Sequence, residues 1–188
     1  MKGKYKITFN SPVILWFAGL CLVATLANYL TAGISNEVLF MTYHSSLKAP
    51  MTYVRFFTHV LGHADWDHFM GNVMYILLLG PLLEEKYGGK TILQVIVATA
   101  LVTGLINYIF FWNVALCGAS GVCFAFILLS SFTSFKEGEI PLTVLLVATV
   151  FLGQQVYEGL FLKDTISNMA HIFGGIVGWA TGTALNKR

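Results

Sequence analysis

The segment 165–185 reads TISNMAHIFGGIVGWATGTAL and contains no Asp, Glu, Lys or Arg. As a helix it is long enough to cross the hydrocarbon core of a bilayer, which takes about 20 mostly apolar residues. Gly174, Gly178 and Gly182 recur every four residues, so they share one helix face and let a second membrane helix approach closely. The segment therefore predicts a tightly packed membrane helix. His171 is an ionisable residue within it, which marks a candidate functional site.

The whole chain shares this apolar character. It has 188 residues, of which 56% are hydrophobic and 11% charged, and its mean hydropathy is +0.73. Soluble domains carry about 25% charged residues, so the composition predicts a polytopic membrane protein whose single domain occupies 1–188. The formal net charge is only +2 and no basic stretch is dense, which gives no indication of nucleic-acid binding. The three cysteines lie in apolar surroundings and are expected to be packing residues without disulfides.

Six apolar stretches are candidate membrane spans. They lie roughly at 12–30, 68–83, 91–112, 114–134, 141–161 and 165–185. The second is short, and its polar leading end is expected to be housed in protein. The connection between the first two is the longest and is rich in aromatic residues, which is typical of a segment lying in the membrane interface. The predicted fold is therefore all-α, a bundle of six transmembrane helices with a long interfacial first loop. The glycine stripe of the sixth span is expected to face the fourth.

The distribution of basic residues predicts the orientation of this bundle. With six spans both termini lie on one side, and only Lys48, Arg55 and Lys163, of the 11 Lys and Arg, fall on the other. Cytoplasmic segments carry the excess of Lys and Arg, so the termini are expected to be cytoplasmic. The second, fourth and sixth spans then begin at the outer surface. His171 is expected roughly 9 Å below the start of its helix, at 1.5 Å per residue.

Ser120 is the candidate nucleophile. It lies in Gly118-Ala119-Ser120-Gly121, close to the start of the fourth span. A serine hydroxyl is a weak nucleophile until a base such as histidine takes its proton, and His171 is expected at a similar depth. The glycines give the backbone room, and free N–H groups at a helix N-terminus can stabilise an oxyanion. The alternatives are a serine bonded to its own helix and a structural histidine bonded across helices.

His68 and Asn72 are spaced i, i+4 and therefore share one face of the second span. An imidazole and an amide on one face can both donate hydrogen bonds to an oxyanion. The alternative is a pair that attaches this helix to the first loop, because Asn side chains often join membrane helices. Asp164 and Glu158 are expected in or beside the loop between the last two spans. They are poor third members of a triad, so a Ser–His dyad is predicted.

The first loop and the start of the second span also resemble a metal site. The candidate ligands are His59, His63, Asp65, Asp67 and His68. Their spacing is loose and no His-Glu-x-x-His motif is present, so a solvated interfacial loop is favoured and no metal or cofactor is predicted. A transporter or channel is a rival function for the polar residues. It is less favoured because no inverted repeat is visible and no ion-pairing charge lies at midplane.

Three motifs together resemble the rhomboid family of intramembrane serine proteases, in particular its short six-span bacterial members of the GlpG type. They are His68-Phe69-Met70-Gly71-Asn72, Gly118-Ala119-Ser120-Gly121, and Ala170-His171-Ile172-Phe173-Gly174 with Gly178. The resemblance extends from about residue 12 to the end. It implies Ser120 as nucleophile, His171 as general base, and an oxyanion hole formed by His68, Asn72 and the Ser120 backbone N–H.

The same resemblance implies transmembrane protein substrates, a location in the bacterial inner membrane, and an active site open to the outer side. The fifth span and the loop after it would act as gate and lid. Two positions depart from the family pattern. The Trp-Arg of the first loop reads Val54-Arg55, so only Arg55 carries over, and an aromatic residue that is often Tyr is Phe124 here. Phe124 can stack on His171 but lacks a hydroxyl. A relative that binds membrane helices without cutting them is the remaining alternative.

Overall fold

The computed structural model describes residues 8–134, 139, 141–161 and 165–186. Asp164 and the side chain of Glu158, which were considered above as partners of His171, lie outside the described residues. Within these ranges all regular structure is helical apart from one isolated bridge between Thr42 and Leu116. The predicted all-α class is confirmed.

A helix lies at each of the six predicted spans, and the first loop contributes two further helical segments. In chain order they are α1 (Pro12–Leu30), a π-helical turn (Asn36–Phe40), α2 (Pro50–Thr58), α3 (Trp66–Tyr87), α4 (Gly89–Phe110), α5 (Ser120–Ser131) with a 3-10 turn (Phe132–Ser134), α6 (Leu142–Phe161) and α7 (Thr165–Leu185). Among the described helices, α1 and α4 are both long and apolar enough to cross a membrane.

The helix at the second predicted span, α3, is longer than predicted at both ends. It begins at Trp66 because Asp65 caps it, with Asp65 Oδ1 accepting a hydrogen bond of 2.7 Å from the His68 N–H. It ends before Gly88, whose φ of 81° is readily adopted by glycine alone. The polar start of this span is therefore stabilised by its own cap, and His68 lies in the first turn.

The predicted start of the fourth span is wrong. Residues 114–119 precede the helix and do not belong to it; Leu116 exchanges backbone hydrogen bonds of 2.9 and 2.8 Å with Thr42, and the Gly118 N–H donates to the His59 carbonyl at 2.9 Å. The helix starts only at Ser120. An apolar run by itself does not distinguish a buried extended segment from helix, and here pairing with the first loop decides the difference.

The first loop is a folded layer that packs on α4. A Cβ added to Gly104 would lie 2.9 Å from the Phe56 carbonyl oxygen, so the absence of a side chain there allows α2 to reach α4. Arg55 is buried; it donates to the Tyr43 hydroxyl and to Ser45 Oγ, and its guanidinium lies 4.2 Å from the Tyr43 ring centroid. Arg55 therefore stabilises the loop itself.

The central helix of the bundle is α5, which packs against α3, α4, α6 and α7. A Cβ on Gly178 would lie 2.8 Å from Ala125 Cα, and one on Gly174 would lie 2.9 Å from Gly121 Cα. These contacts confirm that the glycine stripe of the last helix faces the fourth predicted span. Ser120 and His171 belong to the two helices that this close contact joins.

Candidate active site

A cavity of about 260 Å³ lies between α3, α5, α6 and α7. It contains all four side chains predicted to carry chemistry: Ser120, His171, His68 and Asn72. The remaining lining residues are Asp67, Gly71, Tyr75, Cys123, Phe124, Ile127 and Phe151. The structure therefore brings together polar groups from three helices that are far apart in the chain.

Ser120 is the first residue of α5 and follows a turn that requires glycine. The φ of Gly118 is 129°, and a Cβ there would lie 2.7 Å from both Cε1 and Nε2 of His68. Glycine at this position both permits the turn and admits the imidazole of α3. The Cys123 N–H bonds to the Ala119 carbonyl at 3.0 Å, so the N–H groups of Ser120 and Gly121 precede the first bond of the helix. They are donors that a ligand beside Ser120 can use.

His171 is held by packing on α5. Its ring stacks on Phe124 with a centroid separation of 4.3 Å and an interplanar angle of 10°, as the sequence indicated. Phe151 of α6 makes a T-shaped contact with Phe124 at 5.9 Å and 82°, and both rings line the cavity. The contact of Gly174 with Gly121 lies three residues beyond His171 and sets the spacing of the two helices at this level.

The orientation of His68 follows from its neighbours. Its Nδ1 accepts a long hydrogen bond of 3.5 Å from the Ala64 N–H. A neutral imidazole that accepts at Nδ1 carries its proton on Nε2, and Nε2 is the atom beside Gly118. His68 is thus attached to the first loop, as the alternative role proposed, and also presents a donor at the turn before Ser120.

Asn72 has a buried donor without a partner. Its side chain is 6% exposed, and its Oδ1 accepts from Cys123 Sγ at 3.7 Å. Its Nδ2 makes no hydrogen bond to any described residue. An unsatisfied buried N–H costs about 1–3 kcal/mol. Because the folded protein already bears this cost, a ligand oxygen in the cavity can accept a hydrogen bond from Asn72 Nδ2 without removing water from it.

Arg55 and most of the loop residues considered as metal ligands lie elsewhere. Arg55 makes its hydrogen bonds within the first loop and does not line the cavity. The expectation of a solvated loop is wrong for His59 and His63, which are 1% and 0% exposed. Burial lowers the pKa of each to about 4, so both are neutral at pH 7. Across the described ranges, no group of three or more His, Cys, Asp or Glu side chains has the arrangement of a metal site.

Sequence reasoning gave several residues that line the cavity no role in the proposed active site. Asp67, Gly71 and Tyr75 follow one another at i, i+4 and i+8 on α3, so helical spacing could have indicated a shared face. Phe151 had no such indication, because only the packing of α6 against α5 brings it to Phe124.

The fold and the cavity define a class: an all-helical membrane protein that holds a serine, two histidines and an asparagine in one pocket between its helices. The family model described as the rhomboid domain matches residues 50–188. The chain therefore belongs to the rhomboid family, and the resemblance drawn from its three motifs is confirmed.

Individual relatives agree with this membership. The chain is 29% identical over 157 residues to the mouse protein named Rhomboid-related protein 2, a match that covers 72% of the chain and 52% of that relative. It is 24% identical over 178 residues to Rhomboid protease GlpG of Haemophilus influenzae, covering 92% and 90%. The GlpG protein of Pectobacterium atrosepticum is 26% identical over 184 residues, covering 89% and 63%. The chain thus spans about half of the mouse relative and most of the Haemophilus one.

Proposed function

We propose that this protein is an intramembrane serine endopeptidase that hydrolyses peptide bonds in or near the transmembrane segments of other membrane proteins. The observation that carries the proposal is the cavity in which Ser120 of α5 and His171 of α7 lie together with the Asn72 amide donor, which has no partner in the part of the chain that the structure describes. Membership of the rhomboid family, and relatives named as proteases, support the same activity.

The proposed reaction uses Ser120 as nucleophile and His171 as general base. Ser120 Oγ attacks the carbonyl carbon of the scissile bond while His171 takes the hydroxyl proton. The negative charge that develops on the carbonyl oxygen accepts hydrogen bonds from the His68 Nε2–H, the Asn72 amide and the Ser120 backbone N–H. His171 then returns the proton to the leaving amine, and water cleaves the resulting ester with His171 again acting as base.

Phe124 takes part in this scheme by orienting the base. A carboxylate commonly holds the histidine of a serine hydrolase in place. Here the stacked ring of Phe124 at 4.3 Å holds the imidazole by packing. The face of an aromatic ring also favours the imidazolium that forms during the reaction. The proposed catalytic pair is a Ser–His dyad, with Phe124 packed against the base.

The proposed topology is six membrane spans with cytoplasmic termini in a bacterial inner membrane. The cavity then opens on the outer side, at the end of the bundle where α3, α5 and α7 begin, and water reaches Ser120 from there. Phe151 of α6 lines the cavity on the side of that helix, and the family resemblance implies that α6 and the loop after it act as gate and lid. A substrate helix must unwind locally, because its carbonyls are already bonded. Segments with small or helix-breaking residues near the outer face are therefore the preferred substrates.

Covalent capture combined with cleavage tests the proposal. The full chain, reconstituted in liposomes, is treated with a fluorophosphonate and analysed by intact mass, and cleavage of a model transmembrane substrate is followed in parallel. We expect one adduct on Ser120, and we expect Ser120→Ala and His171→Ala to abolish cleavage. Ser131→Ala is the matched control, because that hydroxyl is buried on the same helix and bonds to the Ile127 carbonyl at 3.2 Å.

Two outcomes would contradict the proposal. Normal cutting by a folded Ser120→Ala variant would remove the nucleophile assignment. Failure of both labelling and cleavage, in detergent and in bilayers, would favour a transporter or a relative that binds helices without cutting them.

A further inference from the structure

Among the described residues, one carboxylate lines the proposed active site. Of the residues that line the cavity, Asp67 is the sole acidic one, and its side chain is exposed. Asp65, two residues earlier, is occupied in capping α3 through its bond to the His68 N–H. Asp67 is therefore not the capping residue, and its charge lies at the mouth of the cavity.

The lining of the cavity changes along α3 from a charged residue to uncharged ones. Asp67 is in the first turn, Gly71 lies one turn deeper and Tyr75 two turns deeper, at about 5.4 Å per turn. A Cβ on Gly71 would meet nothing within 4 Å, so the space beneath Asp67 is open. The other side is lined by apolar side chains such as Ile127 and Phe151. A low-dielectric wall facing one charge strengthens the field of that charge in the cleft.

We propose that Asp67 is a specificity-determining residue that selects substrates carrying Lys or Arg beside the scissile bond, at the outer end of the transmembrane segment. The inference rests on the proposed protease function and names the substrate class of the same site. A basic side chain there forms an ion pair with Asp67 as the unwound segment reaches Ser120, whereas an acidic side chain is repelled. Outer flanks of membrane proteins are poor in Lys and Arg, so this preference separates a minority of segments from the rest.

The expected size of the effect is modest. Ion pairs at an exposed rim are weak, so the preference for Lys over Gln is about 1.4- to five-fold in kcat/KM, and Glu is disfavoured by a similar factor. High salt screens exposed charges, since the Debye length falls to about 3 Å at 1 M. The preference should shrink accordingly.

The test uses the full chain in phosphatidylcholine liposomes, whose lipid carries no net charge. Three substrates differ only in having Lys, Gln or Glu at one position, and that position is moved through about three residues on each side of the scissile bond. Cleavage is measured for the wild type, Asp67→Asn, Asp67→Glu and Asp67→Lys. Glu37→Gln is the matched control, because Glu37 is an exposed acid in the first loop and does not line the cavity.

We expect the wild type to rank the substrates Lys, Gln, Glu at one or more positions, and the Glu37→Gln variant to keep this ranking. Asp67→Glu should retain it, Asp67→Asn should remove it, and Asp67→Lys should reverse it. A role of Asp67 confined to stabilising the first turn of α3 would change all three rates by one common factor, and that result would overturn the inference.

Equal cleavage of the three substrates by the wild type would also overturn it. If Ser120 is still labelled and cleavage still occurs, only the inference fails. Loss of both labelling and cleavage in the wild type would overturn the proposed function and the inference together.

Discussion

The contact between α5 and α7 yields the sharpest prediction, because a single methyl group tests it. A Cβ at Gly178 would lie 2.8 Å from Ala125 Cα, and still closer to the Ala125 carbonyl oxygen. Both neighbours are backbone atoms of a buried helix, so they cannot rotate away. Gly178→Ala therefore forces the two helices apart, and restoring an ordinary contact of 3.4 Å moves them by about 0.6 Å at the Ala125 Cα and by more than about 1 Å at its carbonyl oxygen.

This displacement acts on both stability and chemistry. Overpacking of this kind costs about 1–3 kcal/mol in the free energy of unfolding. His171 is on the displaced helix and Ser120 on its partner. Since a misplacement of about 1 Å can cost 10²-fold in rate, we expect kcat/KM to fall by about 10- to 100-fold at a shift of this size, although Gly178 does not line the cavity.

The assay compares Gly178→Ala with Gly19→Ala, both reconstituted in liposomes, by substrate cleavage and by thermal unfolding. Gly19 lies within α1, and a Cβ there would meet nothing within 4 Å. That control should keep full activity and should gain up to about 1 kcal/mol from the lower backbone entropy of alanine. If Gly178→Ala matches Gly19→Ala in both activity and unfolding temperature, the reasoning about this helix contact is wrong.

Three further predictions concern other elements. Asn72→Ala should lower kcat by about 10²–10³ with little change in KM, since an oxyanion donor acts mainly in the transition state; an equal loss in KM would contradict that role. Glu84 is buried and accepts the N–H groups of Val13 and Ile14 at 3.1 and 3.0 Å. Glu84→Gln replaces one acceptor by a donor facing an N–H and should cost about 1–3 kcal/mol in thermal unfolding without changing the activity of the folded fraction. His59 has a folded pKa of about 4 against an ordinary 6.5. The unfolded chain therefore binds more protons between these values, so stability is full above pH 6.5 and falls by roughly 1.4 kcal/mol per unit as the pH approaches 4. His59→Gln should reduce the slope of the unfolding free energy against pH in this range, and an unchanged slope would refute the assignment of this pH dependence to His59.

The accuracy of the sequence-based expectations varied with the kind of feature. The ends of α1 and α7 agree with the expected spans 12–30 and 165–185, because hydrophobic length and Pro12 at the helix start are local properties. The start of α5 and the helix α2 were missed. In both places the conformation depends on contacts between the first loop and other parts of the chain, such as the Thr42–Leu116 bridge and the packing of Phe56 on Gly104.

The candidate site shows the same division. Motif spacing indicated Ser120, His171, His68 and Asn72, and the structure places all four around one cavity. The acid at its mouth, Asp67, was considered only as a metal ligand. Its place in the cavity depends on the rotation of α3 about its axis, which hydropathy does not report.

By itself, the order of amino acids determined that this is an all-helical membrane protein, that its last helix presents a glycine face, and which polar residues lie near the helix starts. These properties belong to single helices and do not depend on packing against another helix. Only the tertiary structure decided that His68 Nε2 lies beside the Gly118 turn, that Phe151 packs on Phe124, and that Asn72 Nδ2 has no hydrogen-bond partner among the described residues. Each of these depends on how helices distant in the chain are spaced and rotated, and close packing of small side chains against backbone sets that geometry.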